Sequence, residues 1–375
     1  MRVAFFSGNY NYLREGANQA LNRLAAFLEE EEGHSVRVYS PVTDTPAFEP
    51  AGTLIPVPSV ALPVRSEFRL ALGLPRTIRD DLRRFSPDVV HLSTPDILGA
   101  RALSFARRLG IPVIASQHTL FETYLDYYGL GWVRPLVEAH LRRFYRRCDH
   151  VLAPTPALVE AMKRVRGDQR VSLWSRGIDR SLFDPARRDD EWRRSNGWSD
   201  GDVAVLFFGR LVAEKGIDRY VATVRRLQQR SANIRPLIVG AGPAASAFAE
   251  LPDAVLTGHL DGERLARAVA SADIVLQPST TEGFGNVVLE AMASGLAVVS
   301  AGVASSEALI EDGRTGILCL PDDIDSYERA IMGLVENPDR RREIGAAARL
   351  ASEGFSWANA SRQAADAYRD VIAAA

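Results

Sequence analysis

GIDRSLFDPARRDDEWRRSNGWSDGDVAVLFFG, residues 177–209, divides the chain. Up to Asp202 the stretch is charged and predicts no strand. From Val203 an apolar run closed by Gly209 restarts a pattern that also fills the sequence before Gly177. On the earlier side RVAFF (2–6), VRVYS (36–40), DVVHLS (88–93), PVIAS (112–116) and HVLAP (150–154) read as strands. Between them GANQALNRLAAFLEEEEG (16–33), PRTIRDDLRRFSP (75–87) and GARALSFARRLG (99–110) space their apolar residues as helices do. On the later side RPLIVGAG, AVLTG, DIVLQPS, LAVVSA and GILCL repeat the alternation. Strands that are apolar almost throughout, separated by helices, predict parallel sheets covered on both faces.

The expected fold is therefore α/β: two doubly wound, Rossmann-like domains facing across a cleft, with a boundary near residue 177. Residues 1–176 form the first and 177–355 the second. The last stretch, 356–375, predicts a helix capped by Ser356. In such sheets ligands meet the carboxyl ends of the strands.

Composition excludes several classes. With 375 residues, 46% hydrophobic and 25% charged, the chain reads as globular, not as disordered, collagenous or coiled-coil. No apolar run approaches the roughly 18 residues of a membrane span. MRVAFFSGNY carries one basic residue and a short apolar run, and reads as a first strand and not as a signal peptide. Two distant cysteines, Cys148 and Cys319, build neither a disulfide framework nor a zinc site and fit a cytoplasmic chain. Residues 1–178 hold 23 Lys+Arg against 18 Asp+Glu, and residues 179–375 hold 22 against 29. The basic half suits an anionic surface or is an imbalance of solvated side chains; no nucleic-acid partner is expected. Of the basic residues 43 are Arg and two are Lys, Lys163 and Lys215.

Four stretches carry candidate chemistry. STTEGFGNVVLEAMASG (279–295) follows a strand, and a helix is predicted to begin near Asn286. Gly283 and Gly285 keep side chains off the loop, and open N–H groups at such a helix start suit a phosphate. Glu282 and Glu290 bracket that start, one placed to face a sugar and the other a ribose, or both simply favoured by the helix dipole. FFGRLVAEKGID (207–218) puts Arg210 at a strand end and Lys215 five residues on, a pair able to neutralise a diphosphate or to lie solvated on the surface. IASQHTLFETYLDYYGLGW (114–132) puts His118 directly after a strand, followed by Phe121, Tyr124, Tyr127, Tyr128 and Trp132, an acceptor channel or a piece of core. SGNYNYLREGANQ (7–19) links the first strand to the first helix, where Gly16 lets a phosphate approach the backbone. IVGAGPAAS (238–246) is a loose dinucleotide fingerprint, at Gly240 and Gly242, without the acidic residue about 20 positions on that ribose recognition needs. It leaves a nicotinamide enzyme as a minor alternative. DDID (322–325) reads as a helix cap before a metal site.

EGFGNVVLEAMASG and GRLVAEKG together resemble the donor-site signatures of the family 4 retaining glycosyltransferases, enzymes of the GT-B fold that use nucleotide sugars. SQHTLFETYLDYYGLGW and VSLWSRGIDRSLFDP resemble a narrower branch, that of sulfoquinovosyl diacylglycerol synthase and the GDP-mannose-dependent α-mannosyltransferases acting on glycolipids. The resemblance runs nearly end to end. It implies that Arg210 and Lys215 bind the donor diphosphate, Glu290 the ribose and Glu282 the transferred sugar. Phe284, Gly285, Asn286 and Val287 would surround sugar and phosphate, His118 would lie near the reacting centre, and Gly16 near the diphosphate. The main chain of Gly258, His259 and Leu260 would meet the base, and Tyr124, Tyr127 and Tyr128 the acceptor. The final helix would cross back onto the first domain. Many relatives carry a Gly-Gly pair in the first loop where this chain has Glu15–Gly16. The implied reaction transfers a hexose, of mannose or glucose type, from a GDP- or UDP-linked donor to a lipid or glycolipid acceptor, with a soluble glycan as the alternative acceptor. The leaving phosphate would help deprotonate the acceptor on the same face. No cofactor or metal is expected, since Arg and Lys already supply positive charge. The protein would sit peripherally on the anionic inner face of the cell membrane.

Overall fold

In chain order the strands are β1 (Arg2–Phe6), β2 (Ser35–Ser40), β3 (Thr53–Pro56), β4 (Ser59–Ala61), β5 (Arg69–Ala71), β6 (Val89–Leu92), β7 (Val113–Ser116), β8 (His150–Ala153) and β9 (Val171–Leu173), then β10 (Val203–Phe208), β11 (Ile234–Val239), β12 (Val255–Leu256), β13 (Ile274–Gln277), β14 (Ala297–Ala301) and β15 (Ile317–Cys319). The structure, a computed structural model, describes residues 1–12, 16–61, 69–118 and 131–375. The described chain divides into two compact units. One runs up to Gly177 and takes in Trp357–Ala375; the other is Ile178–Ser356.

In the first unit seven strands lie in the order β3-β2-β1-β6-β7-β8-β9, all parallel. In the second, six parallel strands lie in the order β12-β11-β10-β13-β14-β15. The apolar runs are buried on both sides. Ala4 and Phe6 of β1 join one hydrophobic cluster and Val3 and Phe5 the other. Val203, Val205 and Phe207 of β10 face one core while Ala204, Leu206 and Phe208 face its opposite. This alternation follows from the two-residue side-chain period of a strand. Between Gly177 and Val203 there is no strand, only a short turn at Pro185–Arg187 and the helix Asp190–Ser195.

The helix Trp357–Ala373 follows Ser356 and lays Ala360, Ala364, Ala365, Tyr368 and Val371 against Val3, Phe5 and Leu24 of the first unit. Its alanines permit close approach to the helix Gly16–Glu30. This is the GT-B signature of a C-terminal helix returning to the first domain. Asp323 accepts from the N–H groups of Asp325 and Ser326 at the head of the helix Ile324–Glu336, so DDID is a cap.

Three pieces of β-structure were not predicted. Strand β3 ends on Pro56 at the sheet edge, where a missing N–H is tolerated. Strands β4 and β5 form a separate antiparallel ribbon. Strand β9 is three residues long and pairs only with β8.

Candidate functional site

In the second sheet the strand order reverses at β10 and β13, which lie side by side. A reversal of this kind opens a crevice at the carboxyl ends of the two strands. Both donor-site motifs leave from those ends, Gly209–Gly216 after β10 and Pro278–Gly285 after β13.

The loops are tied together by small residues and hydroxyls. Ser279 and Thr281 donate to the Glu214 carbonyl at 3.3 and 3.2 Å. A Cβ on Gly216, whose φ is +73°, would lie 2.8 Å from the Pro278 carbonyl oxygen, so only glycine fits there. Gly240 and Gly242 are required for the same reason: a Cβ would lie 1.9 Å from the Gly209 oxygen or 2.3 Å from the Leu211 oxygen. Leu211 N–H donates to the Ala241 carbonyl, and Ala244 N–H to that of Leu211. The glycines that looked like a dinucleotide fingerprint thus brace the Arg210 loop.

With the loops fixed, Lys215 Nζ lies 2.6 Å from Glu282 Oε1, in a pair 18% and 16% exposed. Gln277 Nε2 donates to the same oxygen at 3.3 Å. Burial works to raise the Glu282 carboxyl, but the charge and hydrogen bond of Lys215, with Ser279 and Arg210, outweigh it and hold the carboxyl below its ordinary value. Glu282 is therefore an anion. Arg210 stands exposed beside it. Two cations, Lys215 and Arg210, thus meet around the Glu282 carboxylate.

The helix Asn286–Ala293 begins in that site. Gly285, at φ +97°, is its N-cap and supplies no side chain to the first N–H groups. The helix start is therefore open to an anion. Phe284 is buried edge-on against Phe355 at 6.2 Å and anchors the loop. Val287 sits against Gly209: a Cβ there would be 3.7 Å from its Cγ2. Asn286 and Val287 are partly exposed. One turn on, the Glu290 carboxyl has no hydrogen-bond or ion-pair partner among the described residues, and burial pushes it up to about 8. Gly258, at φ +71°, gives its carbonyl to the Gly240 N–H at 2.9 Å, with His259 exposed and Leu260 half-buried after it.

The first unit holds the other candidates. Gly16 opens the helix Gly16–Glu30; Glu15, Phe121, Tyr124, Tyr127 and Tyr128 lie outside the described residues. His118 lies two residues beyond the end of β7, as its position after PVIAS predicts. Its ring nitrogens are both engaged by protein: Nε2 is 2.7 Å from Ser116 Oγ and Nδ1 2.7 Å from an Nη2 of Arg176. Ser116 Oγ in turn lies 2.7 Å from His91 Nε2, and His91 Nδ1 is hydrogen-bonded to Tyr368 of the returning helix. Trp174 stacks edge-on against both imidazoles. Burial, then Arg176 and His91, hold His118 well below the ordinary histidine value, so it is neutral. Sequence reading had not singled out His91, Ser116, Arg176 or Tyr368. The available signal was a histidine inside the apolar run DVVHLS.

Residues 14–182 match Glycosyltransferase Family 4, and residues 202–337 match Glycosyl transferases group 1. The GDP-mannose-dependent alpha-mannosyltransferase of Mycolicibacterium smegmatis is 35% identical, over 95% of this chain and 94% of its own. The sulfoquinovosyl transferase of Arabidopsis thaliana is 30% identical over 90% of this chain and 67% of its own. The alpha-monoglucosyldiacylglycerol synthase of Acholeplasma laidlawii is 24% identical over 99% and 98%. Among solved structures, sucrose-phosphate synthase of Thermosynechococcus elongatus shares the fold, with a TM-score of 0.79 at 21% identity and full coverage of both chains. The chain belongs to the retaining glycosyltransferases of family 4, in the branch of sulfoquinovosyl and GDP-mannose-dependent mannosyl transferases.

Proposed function

We propose that the protein transfers a hexose, of mannose or glucose type, from a GDP- or UDP-linked donor to a lipid or glycolipid acceptor at the cytoplasmic face of a membrane. The observation that carries the donor half is the Lys215–Glu282 pair beside Arg210 at the head of an uncapped helix. A diphosphate brings negative charge to a site where two cations and open N–H groups meet. Lys215 is shared between Glu282 and the phosphate, while Glu282 keeps an oxygen for the sugar hydroxyls. Glu290, one turn along, takes the ribose. As the bond to the sugar breaks, charge gathers on the departing diphosphate, and Arg210, Lys215 and the helix start stabilise it. Holding both ends of the donor supplies the rest of the rate. Positive charge comes from the chain, so the reading takes no metal or other cofactor.

The lipid half is supported by the Acholeplasma relative, a glucosyldiacylglycerol synthase, and by the surface of the first unit. Trp132 is 77% and Leu136 71% exposed, beside the exposed Arg134, Arg142 and Arg143 of the helix Arg134–Arg146. Apolar tips among arginines suit an anionic lipid surface. No helix among the described residues is long and apolar enough to cross a membrane. The test is incubation with radiolabelled GDP-mannose, UDP-glucose or UDP-sulfoquinovose and anionic lipid extract, followed by organic extraction. Label from one donor in the organic phase is expected. Label confined to water-soluble glycan would overturn the lipid acceptor, and no binding of GDP or UDP would overturn the donor site.

A further inference from the structure

Of the three buried arginines among the described residues, two come with an acid. Arg166 pairs with Asp168 and Arg193 with Asp273. Arg176 is 3% exposed and has no carboxylate among the described residues. Its Nη1 donates to the Trp174 and Ser175 carbonyls at 2.9 and 3.0 Å, and its guanidinium stands 4.9 Å from the centre of the Trp174 ring. Where the other two meet an acid, Arg176 meets Nδ1 of His118 at 2.7 Å. Burial pulls its pKa to about 9, which still leaves it a cation at neutral pH. An unpaired buried cation is costly, so the contact it makes is informative.

A guanidinium donates hydrogen bonds and cannot accept them. Nδ1 of His118 must therefore be the acceptor. A neutral imidazole then carries its hydrogen on Nε2. That nitrogen faces Ser116 Oγ at 2.7 Å, and the hydroxyl accepts it. Protonating Nδ1 would set an N–H against an N–H beside a fixed positive charge. Among the described residues, Arg176 and His91 are the charged or titratable groups that face the ring.

We propose, resting on the glycosyltransferase reading and its expectation that His118 lies near the reacting centre, that Arg176 is a positioning residue: it locks His118 as the neutral Nε2–H imidazole, so that the ring serves the transfer as neither an acid nor a base. The lock extends through Ser116 and His91 to Tyr368, so the docked C-terminal helix belongs to the same hydrogen-bonded chain.

The test is imidazole nitrogen NMR of the full chain labelled in histidine, from pH 5.5 to 8, with His118 assigned by its absence from the His118→Gln spectrum. The expected pattern is a protonated Nε2, an accepting Nδ1 and no titration. Arg176→Met, similar in length but without donors, is expected to lose that pattern: His118 should then populate both tautomers and titrate. Turnover of the variant should fall while its affinity for free GDP and UDP holds. A wild-type His118 that titrates near its ordinary value, or carries its hydrogen on Nδ1, overturns the proposal. So does an unchanged His118 spectrum in folded Arg176→Met. Should that variant not fold, the wild-type spectrum decides alone. The nitrogen spectra need no substrate. A chain that transfers no sugar would overturn the proposed function and leave the imidazole assignment standing.

Discussion

Lys215 and Arg176 are both cations in segments that follow strands of parallel sheets, and they are handled in opposite ways. In the second unit Lys215 is paired with Glu282, beside an exposed Arg210 and an open helix start. In the first unit Arg176 is enclosed, faces carbonyls and a neutral imidazole, and offers nothing to solvent. A charge shared with a carboxylate remains available to an incoming anion. A charge spent on fixed dipoles orients its neighbours instead. The contrast fits the proposed donor site in the second unit and the proposed positioning role of Arg176 in the first.

The largest expected effect breaks the pair. Lys215→Met leaves Glu282 buried without its cation, and should lower stability by about 3 kcal/mol. It should also weaken free GDP or UDP by roughly 1.5–3 kcal/mol, the worth of a charged hydrogen bond. Adding Glu282→Gln should recover most of the stability and none of the binding. Glu282→Gln alone frees Lys215, so nucleotide affinity should hold or rise while turnover collapses. Denaturant midpoints and calorimetric titrations read all four proteins. Equal stability of the single Lys215 variant and the double would show that the ion pair is not what holds the two loops.

Next comes Glu290. Its carboxyl, raised to about 8 by burial, is protonated in the free protein at neutral pH. Accepting two ribose hydroxyls requires the carboxylate, so binding should expel a proton. Affinity for nucleotide should then rise with pH up to about 8, by at most roughly tenfold per unit. The same shift makes the fold less stable as pH climbs from the unfolded carboxylate value towards 8, because the native state holds a proton that the unfolded chain has lost. Glu290→Gln should flatten both dependences. Affinity that does not change between pH 6 and 8 would take Glu290 away from the ribose.

A smaller effect is expected at Gly285. Its φ of +97° is a conformation that costs an alanine about 1–2 kcal/mol. Gly285→Ala should weaken nucleotide through the displaced helix start, and should leave the His118 nitrogen spectrum untouched.

The two regions also differed in how much of them could be read beforehand. Most strands of both sheets, β3 and β9 excepted, were legible because burial on both faces demands unbroken apolar runs. The edge strand β3 and the ribbon β4–β5 were not, since half-exposed strands need no such run. In the second unit the candidate residues could be read because each group is local: Arg210 and Lys215 lie in one loop, Glu282 and Glu290 in one loop and the helix that follows it. That Lys215 would pair with Glu282 was not legible, for it depends on β10 and β13 lying side by side. In the first unit only His118 was found. Ser116, His91, Arg176 and Tyr368 come from four distant stretches, and nothing in spacing links them. Only the assembled hydrogen bonds show that the His118 nitrogens are already occupied.

The smallest effect sharpens the contrast at the surface of the first unit. Of the four arginines at 142–147, the structure separates two kinds. Arg146 donates to the Arg166 carbonyl and Arg147 to Ser104 Oγ, so both help hold the fold. Arg142 and Arg143 are exposed on the same helix as Leu136, about three turns beyond Trp132. Reversing Arg142 and Arg143 to Glu should therefore weaken association with anionic vesicles without unfolding the chain. The loss should be about 2 kcal/mol or somewhat more, at roughly 1 kcal/mol for each basic residue near the surface. Attraction of this kind is screened beyond a Debye length of about 10 Å at 0.1 M salt, so wild-type binding should fall as salt rises. Trp132→Ala should weaken it in a salt-independent way, since an apolar ring entering the interface is not screened. Neither change should alter affinity for GDP or UDP, which belongs to the other unit. Vesicle co-sedimentation at low and high salt reads the outcome. If wild-type protein stays in the supernatant with anionic vesicles at low salt, the exposed Trp132 and Leu136 serve no membrane, and the acceptor is to be sought among soluble glycans.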